Sequence, residues 1–183
     1  MGMPPDIPPR EKDSARVHVV IDTPAGSRNK YKYDADLDIF RISRVLPQGA
    51  VFPYDFGSIP GTRAEDGDAL DVLVLHLAPA FPGCLVTVKL IGVLHAEQHE
   101  GGKVIRNDRL IAVFDSPVNP ARLEDLKQLD TEELRAIEHF FSSYNAFQKR
   151  PFDIRGRGGS GDAVQTLERA IQAHAAHSAR GCV

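Results

Sequence analysis

EDGDALDVLVL (residues 65–75) joins an acidic turn to an apolar run. Asp66, Asp68 and Asp71 fall within six positions. LDVLVLHL (70–77) is continuous in apolar character apart from Asp71 and His76. A run of this kind predicts a strand buried on both faces. Asp-Gly is a turn signal, and Asp66 taken alone reads as a solvated turn acid. Asp71 does not, because it sits at the head of the apolar run, where a carboxylate needs a partner. Neighbouring carboxylates stay ionised together only around positive charge. The glycine is misplaced for an EF-hand, and no glutamate closes a twelve-residue loop. The donor set points to a hard cation, and Mg²⁺ at phosphate chemistry is the usual use of few carboxylates among much water.

Strand-like segments lie on both sides of this stretch. RVHVVID (16–22) is β-branched, and PAGSRN (24–29) reads as a turn. KYKYD and LDIFRIS predict a hairpin turning at Asp34 to Asp36. LPQGAVFPYDFGSIPG (46–61) is broken by Gly, Pro and aromatics and reads as a structured loop. CLVTVKLIGVLHA (84–96) is the longest strand candidate, bent near Gly92. HEGGKVIRND (99–108) reads as a polar excursion, and RLIAVF (109–114) as a buried strand. Helical signals follow. Asn119-Pro120 is a candidate start, Asp130 with Glu133 resembles a capping box, and Leu134, Ile137, Phe141, Tyr144 and Phe147 recur at helical spacing. Gly156 to Gly161 breaks the chain, and Asp162 opens a last helix with Val164, Leu167 and Ile171 on one face. Strands followed by helices predict a mainly antiparallel β domain with helices packed on it, spanning 16–183, behind a loose, Pro-rich arm at 1–15.

Composition excludes several classes. The 183 residues carry a net charge of −3, with 42% hydrophobic and 26% charged residues. That is the balance of one globular domain, with no global attraction to nucleic acid or anionic membrane. No apolar run approaches the roughly 20 residues of a membrane span. The N-terminus lacks the apolar core of a signal peptide, and Asp6 stands where a myristoylation signal wants Ser or Thr. Two cysteines, Cys84 and Cys182, suit a reducing compartment, so a cytoplasmic protein is expected. RGRGG (155–159) resembles an RGG segment weakly, but an acidic site argues against nucleic acid. GRGGSGD lacks the Lys-Ser/Thr of a P-loop.

Upstream, Arg44 directly precedes the aromatic loop, and Lys30 alternates with Lys32 on one strand face. Cations facing a carboxylate cluster form a cradle for a highly charged anion such as phosphate. With these residues in place, VVID, KYKYD, SRV, VFPYDFGSIPGTRAEDGDALDVLVL, LIGVL and RNDRLIAV together resemble the family I soluble inorganic pyrophosphatases. The resemblance runs from about residue 17 to 115 and continues more weakly through HFFSSYNAF (139–147).

The resemblance implies a closed five-stranded OB-like barrel with two main helices against it. It implies hydrolysis of pyrophosphate to two phosphates with several Mg²⁺, and a homo-oligomer, a hexamer in bacterial members. Residue by residue, Asp66 and Asp71 match ligands of the tight metal. Asp68 matches the acid that helps deprotonate the attacking water, and Asp22 stands where the family has a Glu near the outer metals. Lys30 and Arg44 match phosphate-binding cations, Arg109 replaces a Lys in that role, and Tyr144 matches a phosphate-binding phenol.

The chain also departs from the pattern. Lys32 replaces an acid, Phe52 and Phe56 replace tyrosines, and Asn145 replaces a Lys. One family acid aligns near Glu97 or Gln98, and another falls at Asn107 with Asp108 next door. Strand alternation would point Asn107 and Arg109 inward and Asp108 away. A bulge could instead swing Asp108 in as a metal ligand, and that alternative is favoured because an acidic site would otherwise lack a ligand. Two further readings stay open: a homologue with weak or no activity, and a hydrolase acting on another phosphoanhydride.

Overall fold

The computed structural model describes residues 7–75, 77–118, 120–147 and 150–180. The strands are β1 (Val17–Thr23), β2 (Asn29–Asp34), β3 (Ile39–Val45), β4 (Asp55–Ile59), β5 (Leu70–Leu75), β6 (Leu85–Glu100), β7 (Lys103–Arg106), β8 (Arg109–Phe114) and β9 (Phe152–Gly158). Among the described residues there are two α-helices, α1 (Thr131–Ala146) and α2 (Ser160–Arg180). The fold is mainly β with two helices, as expected. Pairings run β1–β4–β5–β8–β6, and β1 also pairs β6, so five strands form a ring of pairings. β7 and β9 add to β6, while β2 and β3 pair only with each other. The pairings are antiparallel except β5 with β8, which is parallel.

Period-two alternation in β5 sorts its side chains between two cores. Leu73 and Leu75 pack with Phe52, Phe56, Ile111, Ile137 and Phe141 on the α1 side. Leu70, Val72 and Val74 pack with Val19, Leu110, Ala163, Leu167 and Ala170 on the α2 side. Each helix therefore covers one face of the strand layer, which is why β5 reads as apolar throughout. Asp71 shares its face with Leu73 and Leu75 and so belongs to the α1 side.

Several expectations need correction. Residues 46–61 contain β4, and the glycine that seemed to break it makes it possible. A Cβ on Gly57 would lie 2.2 Å from the Val20 carbonyl oxygen of β1, so only glycine allows the two strands to approach this closely. The excursion at 99–108 is the end of β6 and a hairpin into β7, turning through Gly101 and Gly102, both at positive φ. Gly156 to Gly158 lie inside β9, where a Gly158 side chain would collide with Val93 and Asp162. Gly92 does mark the bend in β6, with a register shift between Leu90 and Gly92.

The buried face of α2 is Ala163, Leu167 and Ala170, and Val164 is exposed. Asn119 lies outside the described residues. The segment after it forms only a short 3₁₀ turn, Leu126–Gln128, capped by Asp125. Asp130 caps α1 by accepting from the Glu132 and Glu133 amides, but the Glu133 carboxylate is engaged by the Tyr54 hydroxyl. Of the N-terminal segment, Arg10 bridges Val17 and pairs with Glu168 of α2.

Candidate active site

A cleft of about 370 Å³ opens where the α1-side face of the ring meets the β2–β3 ribbon. Asp66, Asp68, Asp71, Lys30, Arg44, Arg109 and Tyr144 all line it, together with Lys32, Gln98, Asn107, Asn145 and Arg150. The structure thus brings seven of the nine predicted site residues to one surface.

The β2–β3 ribbon delivers two of the predicted cations. Lys30 and Arg44 are directly paired across β2 and β3, beside a register shift at Lys30/Tyr31. The Lys30 ammonium stands 5.2 Å from the Phe56 ring centroid and 5.5 Å from that of Tyr144, within cation–π range. Phe52 packs against Phe56, Phe140 and Tyr144, so the two phenylalanines form an apolar floor under the cations. The Tyr144 hydroxyl is buried without a hydrogen-bond partner among the described residues. A buried unpaired hydroxyl is costly and suits a ligand that supplies an acceptor. Asn145 donates instead to the Phe141 carbonyl at 2.8 Å, which is helix backbone.

The acids come from the turn before β5 and from that strand itself. The Asp68 amide donates to Asp66 Oδ1 at 3.1 Å, which shapes the turn around Gly67 (φ +90°). Asp68 pairs with Lys32 at 3.1 Å, and Asp71 with Arg109 at 2.7 Å. Partial loss of hydration raises the Asp66 carboxyl above its usual range, and Asp71 and Asp68 raise it further. Asp22 is not among the residues lining the cleft, but it interacts electrostatically with Asp71, Lys30 and Lys32, which are. Burial, reinforced by the Asp71 charge, raises its carboxyl to about 7 despite a hydrogen bond from Ser58. Ser58 lies opposite Asp71 on β5 and opposite Val20 on β1, two residues before Asp22, and its side chain reaches the Asp22 carboxyl. Ser58 escaped the sequence reading because β4 did.

The inward swing of Asp108 is not found. β8 keeps regular alternation: Arg109, Ile111 and Val113 share the α1-side face, and Leu110 and Ala112 the other. Asn107 and Arg109 therefore face the cleft. Asp108 lies on the α2 side, in a separate cavity shared with Arg63, Arg106, Thr166 and Arg169. Its carboxylate is held by the Ala96 amide at 3.2 Å and by His95 and Arg106. Of the two candidates on β6, Gln98 faces the cleft, and Glu97 pairs outside with Arg155.

Among the described residues, no three carboxylates, imidazoles or thiolates are gathered closely enough to enclose a cation. The donor chemistry still fits one hard cation on the Asp66–Asp71 side. Those groups are all oxygen donors, and Asp71 raises both Asp66 and Asp22 by like-charge repulsion. The Gln98–Asn107 wall offers no comparable charge. The cleft was expected to be acidic; its lining instead carries five cationic side chains against three acidic ones.

A ring of strands carrying paired carboxylates opposite a basic ribbon defines a phosphate-handling enzyme of the metal-assisted type. The comparisons with known proteins agree. The family model described as inorganic pyrophosphatase matches residues 19–175. The inorganic pyrophosphatase of Synechocystis is 36% identical over 148 residues, 81% of this chain and 85% of that protein. The one from Thermus thermophilus is 38% identical over 144 residues, covering 79% and 80%. A crystal structure of the Thermus thermophilus inorganic pyrophosphatase superposes with a TM-score of 0.83 at 33% identity, over 92% of this chain and 96% of that one. The chain belongs to the inorganic pyrophosphatase family. Membership implies a divalent metal cofactor. No helix among the described residues is long and apolar enough to cross a membrane.

Proposed function

We propose that this protein hydrolyses inorganic pyrophosphate to two phosphates with Mg²⁺. The observation that carries this reading is the joint lining of one cleft by Asp66, Asp68 and Asp71 and by Lys30, Arg44, Arg109 and Tyr144. Asp66 and Asp71, backed by Asp22, would hold the cation. A bound divalent ion supplies an acidified water and neutralises phosphate charge. Asp68, on the exposed lip, accepts the proton of the attacking water once Lys32 releases it. Lys30 and Arg44 fix the phosphates from the ribbon side, and Arg109 from the ring. Tyr144 donates its unpaired hydroxyl to the same anion. Asp108 is omitted from the ligand set because its carboxylate is committed to Arg106 and His95.

The remaining expectations follow the family resemblance: an OB-like barrel for the five-strand ring, one domain over 16–183, a cytoplasmic location and a hexamer; of the arm expected at 1–15, residues 1–6 lie outside the described residues, and Arg10 is tied to Val17 and Glu168. Light scattering at micromolar concentration tests the last, and a monomer mass would rule it out. The activity is tested by phosphate release from pyrophosphate, tripolyphosphate and nucleotides, with and without Mg²⁺. Release from pyrophosphate that needs Mg²⁺ and is lost in Asp71→Asn supports the reading. Absence of release from pyrophosphate at saturating Mg²⁺ removes it. One observation favours a weakly active relative: Gln98 and Asn107 bond to each other where an acidic wall would hold further metal. Turnover at saturating Mg²⁺ separates the two.

A further inference from the structure

A continuous hydrogen-bonded chain crosses the back of the cleft. The Asn107 side-chain amide donates to Gln98 Oε1 at 2.7 Å. Arg109 Nη1 donates to Asn107 Oδ1 and also lies 2.7 Å from Asp71 Oδ2. Gln98, Asn107 and Arg109 are each more than nine-tenths buried. Both amide oxygens are thus consumed within the chain, and neither faces outward as a cation ligand. The guanidinium carbon lies 5.1 Å from the Phe152 ring centroid and 5.8 Å from that of Phe141, which fixes its plane. Arg109 Nε is buried with no acceptor among the described residues. A buried guanidinium with an unsatisfied N–H is an anion site in waiting. The Tyr144 hydroxyl, also unsatisfied, lines the same cleft, with Lys30 and Arg44 on the opposite ribbon.

We propose that this cleft binds diphosphate anions without a divalent metal, with the fixed Arg109 guanidinium supplying positive charge in place of an ion at the Gln98–Asn107 wall. The proposal rests on the cleft being the diphosphate site but not on turnover. It divides the labour: the chain's own cations hold the anion, and metal serves the water. Five cations against three acids leave the empty cleft attractive to a polyanion, whereas an acidic cleft would repel one until metal arrived.

The test is calorimetric titration with methylenediphosphonate, which cannot be hydrolysed, in EDTA and in Mg²⁺. Wild type should bind in EDTA, with Kd within about tenfold of the Mg²⁺ value. Arg109→Met should weaken binding in EDTA at least tenfold. Asn107→Asp adds a carboxylate to the wall and keeps Arg109. It should weaken EDTA binding similarly and let Mg²⁺ restore it, giving a readout if Arg109→Met does not fold. Binding by wild type only in Mg²⁺, or EDTA binding by Asn107→Asp as tight as wild type, overturns the proposal. Phosphate release with Mg²⁺ reports separately on turnover: binding without release sinks the hydrolytic reading alone, and release without metal-free binding sinks this one alone.

Discussion

Arg109 Nη1 lies 2.7 Å from Asp71 Oδ2, so the acid at the head of β5 is neutralised by the first residue of the parallel strand beside it. The pair sits at the entry of both strands, where Val72 lies opposite Leu110. A cation held by Asp71 shares that carboxylate with the guanidinium.

Mg²⁺ should stabilise the fold, because the acids around Asp71 repel one another when it is absent. A ligand that binds only the native state adds about 2.7 kcal/mol at a hundredfold excess over its Kd. Melts in Mg²⁺ and in EDTA measure this. The gain should shrink in Asp71→Asn, and identical wild-type melts under the two conditions would contradict it.

Asp22 predicts a pH trend for the metal-free protein. Its folded-state carboxyl is raised from 3.8 to about 7. The corresponding stability is fully present below the unfolded value and is lost as pH rises through about 7. Asp22→Asn cannot ionise. In EDTA it should match wild type near pH 4 and exceed it near pH 8, by up to roughly 4 kcal/mol at about 1.4 kcal/mol per pKa unit. Urea titrations at the two pH values check the sign, and an amide variant weaker at the higher pH would refute it.

Replacing Arg44 with Lys keeps the charge and removes the fork. Arg44 lies on an exposed ribbon away from both cores, so folding should be untouched. The kcat/KM for pyrophosphate should fall roughly tenfold to hundredfold, as expected for loss of an oriented donor. Full activity, or a lowered melting temperature, would show that Arg44 does something else.

Gly57→Ala should disrupt the fold. The added carbon would meet the Val20 carbonyl oxygen at 2.2 Å, and backbone cannot rotate away as a side chain can. The cost should reach or exceed the upper end of overpacking penalties, about 3 kcal/mol. Circular dichroism and urea unfolding measure it, and a variant within 1 kcal/mol of wild type, roughly, would refute the close approach.

Much of the fold was legible because β5 and β8 are apolar apart from Asp71 and Arg109, the first part of β6 is rich in Val, Leu and Ile, and α1 carries a regular stripe. β4, β7 and β9 were missed for one reason. Each contains or adjoins glycines, read as breaks, that serve close packing at Gly57 and Gly158 and a tight hairpin at Gly101–Gly102. In the site, the acids of the turn and the cations of the ribbon were visible from spacing. The orientation of Asp108 was predictable from alternation, and the mistake was to add a bulge in order to rescue a charge. What no local pattern could reveal was that Gln98 would meet Asn107 across the sheet, since they are nine residues apart and joined by a hairpin not recognised as one.

The missing side chain at Gly57 ties two inheritances together. The same close approach of β1 to β4 that needs a glycine also sets Ser58 against Asp22 and Asp71. A change on the basic ribbon therefore alters anion binding one side chain at a time and leaves the backbone of the ring in place. The acidic side has no such latitude, since drift at the glycine would move the backbone and carry the carboxylates with it.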